Sequence, residues 1–317
     1  MAKERSSFAI GGDSVPAGQQ AKFEMPISRL TSGTLVSLPL LVFHGRKEGP
    51  TVWISAAVHG DELCGVEIIR QVVSDLDPAT MAGTLIAVPV VNVFGFNTGD
   101  RYLPDRRDLN RSFPGSARGS LASRIAHLVM TEVVSRCSVG IDLHTGSDHR
   151  TNLPQVRADL DDADTMALAR AFAAPIAIHS RTRDGSLRAA ATEAGATVLL
   201  YEGGEALRFD PATIEKGRDG TRRVLAKLGM TKTAVRASGE RLLSRRSRWV
   251  RAPKSGILHL SAALGTQVSK GDTIATIVDL YGNRLSRMAA GNKGIIIGHT
   301  QHPLVNQGDA VAHVAET

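Results

Sequence analysis

"TVWISAAVHGDEL" (51–63) sets the architecture: an apolar run ends in a histidine, an aspartate and a glutamate within four positions. A short apolar run rich in β-branched residues reads as a buried strand. A strand ending at Val58 delivers His59 to the carboxyl edge of a sheet, where open α/β folds form their ligand crevices. The periodicity of "DELCGVEIIRQVVSDL" (61–76) predicts a helix directly afterwards, with Glu62 in its first turn. Their separation of three residues lets His59 and Glu62 converge on one point, and imidazole plus carboxylate is a zinc-type ligand pair.

The flanking segments extend this strand–helix unit. "TLIAVPVV" (84–91) is a second buried strand, which makes the unit β-α-β, and "AKFEMPISRL" (21–30) and "TLVSLPLLVFHG" (34–45) read as antiparallel strands before it. Further on, helical spacing in "LASRIAHLVMTEVV" (121–134) and "DDADTMALARAFA" (161–173) alternates with strands at "VGIDLH" (139–144) and "ATVLLYEGG" (196–204). This alternation predicts an α/β domain over residues 1–240, built on a mixed, mainly parallel sheet flanked by helices.

Residues 241–317 differ, because they contain an internal repeat. "APKSGILHLSAALGTQVSKGDTIATIV" (252–278) and "AAGNKGIIIGHTQHPLVNQGDAVAHVA" (289–315) share Gly-Ile at 256 and 294, Val at 268 and 305, and Gly-Asp at 271 and 308. Two such halves close a small all-β sandwich that neither forms alone. The pattern resembles the barrel-sandwich fold of lipoyl and biotinyl carrier domains. The junction "DLYGNRLSRM" (279–288) lacks the lysine that a carrier modifies, which argues against carrier function.

A length of 317 residues fits one large domain and one smaller one. With 42% hydrophobic and 22% charged residues the composition is that of an ordinary globular protein. No segment approaches the roughly 20 uninterrupted apolar residues of a membrane span, and a cytoplasmic location without membrane partners is expected. Cys64 and Cys137 are too few for a disulfide framework. The net charge of +7 is concentrated in residues 222–254, where Glu240 is the only acid and Trp249 the only aromatic. Without interleaved aromatics the segment reads as a solvated helix face and linker rather than a nucleic-acid surface. Its positive field also favours small acidic substrates. Homo-oligomers are compatible with this composition.

Candidate catalytic groups lie at the other strand ends. His144 closes "VGIDLH" and is the third ligand candidate, with Asp142 on the same face to accept a proton from its imidazole. Two histidines and one glutamate leave one tetrahedral position open, the arrangement of a catalytic zinc. Glu202, at the end of "TVLLYEGGE" (197–205), is the candidate proton shuttle; Glu205 is the alternative but lies beyond two glycines. "RYLPDRRDLNRSFPG" (101–115) reads as a polar loop, in which Asn110 and Arg111 suit a substrate carboxylate and Arg101 an oxyanion.

"HGDE" (59–62), "DLNRSFPG" (108–115), "DLHTG" (142–146) and "YEGG" (201–204), in this order, resemble the succinylglutamate desuccinylase/aspartoacylase family, related to the zinc carboxypeptidases. The resemblance spans nearly the whole chain. It implies one Zn2+ per chain held by His59, Glu62 and His144, with Glu202 as general acid/base and Arg101 as polarising arginine. Asn110 and Arg111 correspond to its substrate-carboxylate pair, and Arg157 and Tyr281 are candidates for its further substrate arginine and its C-terminal tyrosine. The implied activity is hydrolysis of an N-acyl amino acid or similar small acidic amide. A zinc carboxypeptidase, an esterase and a non-catalytic binding protein of the same fold are the alternatives. Cys64 lacks a separate base and reads as structural, His149 as a candidate pocket residue, and His299 and His302 as surface residues of the repeat.

Overall fold

The computed structural model describes residues 5–232, 235–236 and 241–317. A hairpin of β1 (Phe8–Ile10) and β2 (Asp13–Val15) precedes the antiparallel pair β3 (Gln19–Arg29) and β4 (Leu35–His44). The chain then alternates through β5 (Lys47–Ala56), α1 (Cys64–Val73), β6 (Ala82–Val88), α2 (Val93–Thr98), α3 (Leu121–Glu132) and β7 (Val139–Gly146). There follow β8 (Arg150–Ala158), α4 (Ala163–Phe172), β9 (Ile176–His179), α5 (Leu187–Glu193), β10 (Thr197–Glu205) and α6 (Pro211–Lys227).

At the centre of the main sheet, β10, β7, β5 and β6 run parallel in that order. The flanks do not: β4 joins β6 antiparallel on one side, and β8 joins β10 antiparallel on the other. The sheet is mixed, as expected, with a four-stranded parallel centre and antiparallel flanks. The central strands connect through crossover helices, as do the parallel neighbours β8 and β9 through α4, whereas β3–β4 and β7–β8 are joined by short turns that reverse the chain. Helices α1, α4 and α6 cover one face with an apolar cluster that includes Ile54, Ile68, Leu143, Phe172 and Leu199. Helices α3 and α5 cover the other, around Trp53, Ile86, Ile125 and Val129. Every residue of β7 is consequently buried, polar ones included.

The remaining strands are β11 (Leu242–Ser244), β12 (Ser247–Arg251), β13 (Gly256–Leu260), β14 (Gln267–Val268), β15 (Thr273–Val278), β16 (Arg284–Ala289), β17 (Gly294–Thr300), β18 (Leu304–Val305) and β19 (Ala310–Glu316). The sequence repeat is a structural one: β13–β14–β15 corresponds to β17–β18–β19. The short middle strand of each half pairs with the first strand of the other, β14 with β17 and β18 with β13. The Gly-Asp turns match as well, since Asp272 Oδ2 accepts from Ser269 N and Asp309 Oδ2 from Asn306 N, both at 2.7 Å. Leu258, Ile274 and Ile277 share one apolar core with Ile296, Val311 and Val314.

The repeat also continues the main sheet. β17 pairs antiparallel with the start of β8, and β19 and β12 follow it, while β11 pairs parallel with β9. The division expected at 240/241 adjoins residues 237–240, which lie outside the described residues; the strands beyond it complete the sheet begun before it. Within the basic segment, Arg223 donates to Phe172 O, Arg222 to Gln71 O and Asp75, Arg245 to Asp161, and Arg248 lies 3.1 Å from Glu316. These cations have partners inside the fold. Among the described residues no helix is long and apolar enough to cross a membrane.

Gly140 in β7 illustrates how tightly the centre is packed. A Cβ there would lie 2.0 Å from the ring of the fully buried Trp53. Overpacking of this kind costs about 1–3 kcal/mol. Gly140→Ala is expected to destabilise the protein by that amount, read as a lower urea midpoint at an unchanged slope.

Candidate active site

The parallel centre aligns three strand ends. In register, Ser55 of β5 faces Asp142 of β7, and His144 faces Glu202 of β10. β5 stops at Ala56, and its end is pinned where Ala56 O and Ala57 O accept from Val91 N and Asn92 N. Ala57 then adopts a left-handed conformation, φ 49°, which turns the chain across the sheet edge. Gly60 packs backbone to backbone against α2: a Cβ there would lie 2.0 Å from the Gly95 carbonyl carbon. Helix α1 begins at Cys64, so Glu62 sits in this turn two residues before the helix. That corrects the expected placement in the first helical turn and frees its carboxylate to point at both imidazoles.

His59, Glu62 and His144 converge, all buried, with one donor atom of each within 4.8 Å of the others. Glu62 Oε1 lies 2.7 Å from His59 Nδ1 and accepts from Ser147 Oγ at 2.5 Å. Oε2 lies 2.7 Å from His144 Nδ1 and accepts from Thr145 N at 3.1 Å. The far nitrogen of each ring faces another carboxylate: His144 Nε2 is 2.8 Å from Asp142 Oδ2, and His59 Nε2 is 3.3 Å from Asp108 Oδ1. Asp142 is in turn held by Ser55 Oγ at 2.8 Å. Both imidazoles present Nδ1 inward; His144 is oriented by its hydrogen bond to Asp142, as metal-ligating histidines are held, while His59 Nε2 lies near Asp108 without a hydrogen bond. Two inward imidazole nitrogens and one carboxylate suit a borderline-soft divalent ion. This trio could hold a metal ion.

The charges in the trio support one another. Burial raises the pKa of Glu62, but His59 and His144 outweigh it and hold the carboxyl well below its ordinary range. Burial likewise opposes protonation of His144, yet Asp142 and Glu62 raise its pKa. For Asp108, burial is overcome by His59 and Arg101, and the net shift is downward.

The other expected residues fall around one cavity of about 210 Å³. Arg101 donates to Asp108 Oδ2 at 2.9 Å and to Ser147 Oγ at 2.7 Å, and its Nη1 is 3.7 Å from Glu62 Oε1. Asn110 is buried, and its Oδ1 accepts from Leu187 N at the start of α5, while its amide nitrogen has no partner among the described residues. Arg111 is exposed at the rim. Glu202 Oε2 accepts from Asn152 Nδ2 at 2.9 Å and lies 3.1 Å from Arg157 Nη2. Arg157 therefore lines the cavity engaged with Glu202. Glu205 is 3.6 Å from Arg208 and does not line the cavity.

Three expectations are corrected. Tyr281 sits 89% exposed in the β15–β16 turn, away from the cavity. The residue that the C-terminal strands bring to the site is Trp249, stacked on His313 with centroids 4.4 Å apart and crossed by Arg150 at 5.4 Å. His149 pairs with His302 over a separate depression, and His299 is buried rather than exposed. Sequence reasoning also missed Asn152, Ser147 and Arg188. Cys64 is buried, bonded to Arg208 O and Asp210 N, as a structural residue would be.

Asn152 and Arg157 reach the same carboxylate through a bulge. Five positions apart, they would face opposite sides of a regular strand. Opposite β10 the register shifts, with Gln155 facing Glu202 and Asn152 facing Gly204, so that one extra residue of β8 is absorbed around Leu153–Pro154. That insertion brings both side chains to one face.

Residues 48–228 match the model of the succinylglutamate desuccinylase/aspartoacylase catalytic domain. An N-alpha-acetyl-L-2,4-diaminobutyric acid deacetylase from Halomonas elongata is 30% identical over 316 residues, 94% of this chain and 91% of that protein. Among solved structures, the product-bound ectoine utilization protein EutE (DoeB) from Ruegeria pomeroyi superposes with a TM-score of 0.86 at 26% identity, covering 96% of this chain and 98% of the other. A succinylglutamate desuccinylase/aspartoacylase from Rhodobacter sphaeroides gives a TM-score of 0.84 at 27% identity, with 94% and 95% covered.

The outer carboxylates yield a test independent of substrate. Asp142→Asn is expected to weaken binding of a divalent ion about ten- to a hundredfold, measured by competition with a chromophoric chelator. An unchanged affinity would show that Asp142 does not support the metal site through His144.

Proposed function

The chain belongs to the succinylglutamate desuccinylase/aspartoacylase family, and from that premise we propose that it is a zinc-dependent amidohydrolase cleaving an N-acyl amino acid into a carboxylate and an amine. The observation that supports this most is the placement of Glu202 and Arg101 around one small cavity with the His59–Glu62–His144 trio. A cavity of about 210 Å³ suits a small molecule better than a peptide chain.

Zinc held by His59, Glu62 and His144 would supply a Lewis acid that lowers the pKa of water toward neutrality and polarises the acyl carbonyl. Glu202 is the proton carrier. Its Oε2 is fixed by Asn152 and Arg157, and its Oε1 has no partner among the described residues. That free oxygen takes the proton from the attacking water and delivers it to the departing nitrogen. Arg101, locked by Asp108 and Ser147 beside the trio, offers fixed positive charge where the oxyanion develops. The free amide nitrogen of Asn110 and the rim guanidinium of Arg111 bind the amino acid's carboxylate, as a fork and a donor matched to its oxygens. Trp249, from residues 241–317, closes the far wall.

Two measurements test the reading on a panel of N-acetyl and N-succinyl amino acids. Chelation is expected to abolish turnover, with recovery on adding one equivalent of Zn2+. Glu202→Gln is expected to lower kcat by about 10²–10⁴-fold while metal content stays at one per chain. Full activity in that variant would exclude Glu202 as the proton carrier.

A further inference from the structure

A second pair of imidazoles meets outside the active cavity. β8 and β17 pair antiparallel with Thr300 opposite Arg150, so His149 and His302, just beyond that rung, come side by side where the ladder ends. Their ring centroids lie 5.2 Å apart at 45°, and those of His59 and His144 in the buried trio are likewise 5.2 Å apart, at 58°. Both outer rings are exposed over a depression that Asp148 and Asp309 also line.

His302 is held as a ligand imidazole is held. Its backbone N donates to Thr300 Oγ1 at 3.1 Å, and its Nδ1 lies 2.8 Å from Leu304 O. A carbonyl oxygen only accepts, so in the neutral ring Nδ1 carries the proton and Nε2 keeps its lone pair, the tautomer that a backbone acceptor fixes in metal-ligating histidines. His149 is placed by its backbone: its φ is 58°, and its carbonyl accepts from Gln301 N at 2.6 Å. Its exposed ring makes no hydrogen bond among the described residues and is free to turn about its side-chain bonds. Neutral imidazoles suit zinc, nickel and copper, whereas magnesium and calcium take oxygen ligands. No third histidine, cysteine or carboxylate joins the pair closely enough to complete a group of three among the described residues, so water would fill the rest of an ion's shell. The exposed group of Asp159, Asp161 and His179 has its donor atoms engaged instead: Asp159 accepts from Asp161 N, His179 Nδ1 from Leu160 N, and Asp161 bonds to Arg245.

We propose that His149 and His302 form a second, weaker site for an imidazole-preferring divalent ion, and that this ion clips the β7–β8 turn to the loop between β17 and β18. Asp148 and Arg150 of that turn line the active cavity as well as the depression, and Ser147 just before them donates to Glu62 and accepts from Arg101. An ion bridging residues 149 and 302 ties the wall of the cavity to the terminal strands without entering the cavity. The proposal is independent of which amide the protein hydrolyses.

The experiment titrates Zn2+ into protein already carrying one equivalent, following free zinc with a chromophoric chelator, in the wild type, His149→Asn, His302→Asn and His179→Asn. Asparagine tolerates the left-handed backbone at 149, and at 302 its amide can still donate to Leu304 O. The wild type is expected to take up one further Zn2+ with Kd on the order of 1–100 μM, two imidazoles being about half of a four-ligand site. His149→Asn and His302→Asn should each weaken that uptake about tenfold or more, while His179→Asn and excess Mg2+ should leave it unchanged. Zinc at about ten times Kd should raise the thermal midpoint of the wild type by about 2 °C and leave the His149 and His302 variants unmoved. Uptake with wild-type affinity in either of those two variants overturns the inference, as does its loss in His179→Asn or its displacement by Mg2+. So does a wild type that stops at one equivalent up to about 1 mM Zn2+. Uptake at the pair with no rise in midpoint overturns the clip.

Discussion

The carboxylate of Glu62 is the interaction on which the site depends. It is fully enclosed, and its two oxygens are shared among His59, His144, Ser147 and the amide of Thr145. An isolated buried carboxylate is expensive, and the cost is met only when every lone pair has a partner. Those partners come from the β5–α1 turn and from the end of β7, two segments brought together only by the parallel pairing of β5 with β7. The fold and the site are thus one constraint. Slippage of β7 by one residue would send His144 and Asp142 to the opposite face and leave Glu62 unpaired.

A parallel centre alone would not complete the pocket. Crossover helices deliver strand ends at one edge, and this brings His59, His144 and Glu202 into line. The groups that hold Glu202 arrive differently, on β8, which reverses direction through a turn in which Asp148 and His149 are both left-handed. The antiparallel partner runs back along β10 and carries Asn152 and Arg157 to Glu202, which is thereby fixed at one oxygen while the other has no partner among the described residues.

Much of this could be read from residues. The apolar runs at 51–58 and 139–144 are β-branched enough to read as strands, and the residues closing them are the polar ones, so the trio and Asp142 were legible. The repeat was legible too, because Gly-Asp turns recur with their spacing intact and the same side-chain bond forms in both. β8 was not. Its sequence, "RTNLPQVRA", contains a proline and few apolar residues, and proline argues against a central strand unless a bulge accommodates it. The bulge at Leu153–Pro154 is a tertiary feature, and Asn152 and the Arg157–Glu202 pair were hidden with it. Asp108 stood inside the quoted "DLNRSFPG", but its role behind His59 depends on how that loop folds over the sheet edge. Tyr281 was chosen for its place in the chain, and chain position says little about where a hairpin tip lands; Trp249 reaches the cavity because β12 pairs with β19 at the end of the continuous sheet.

Selectivity in such an enzyme has to come from the walls. The trio with Glu202 would hydrolyse any amide whose carbonyl reached it, since proton transfer and charge stabilisation there do not depend on the remote parts of the substrate. The walls are built from segments far apart in sequence: the 101–111 loop, the start of α5, and Trp249 from the terminal strands. Two of these are tied together by Asn110, which holds the first amide of α5 at Leu187. The third is tied through β17, which pairs with Arg150, Thr151 and Asn152 while the same stretch supplies Arg150 to Trp249 and Asn152 to Glu202. A change in how the repeat packs on β8 would therefore move the cavity wall and Glu202 together. The C-terminal strands thus bear on the cavity twice, by holding β8 and by supplying Trp249.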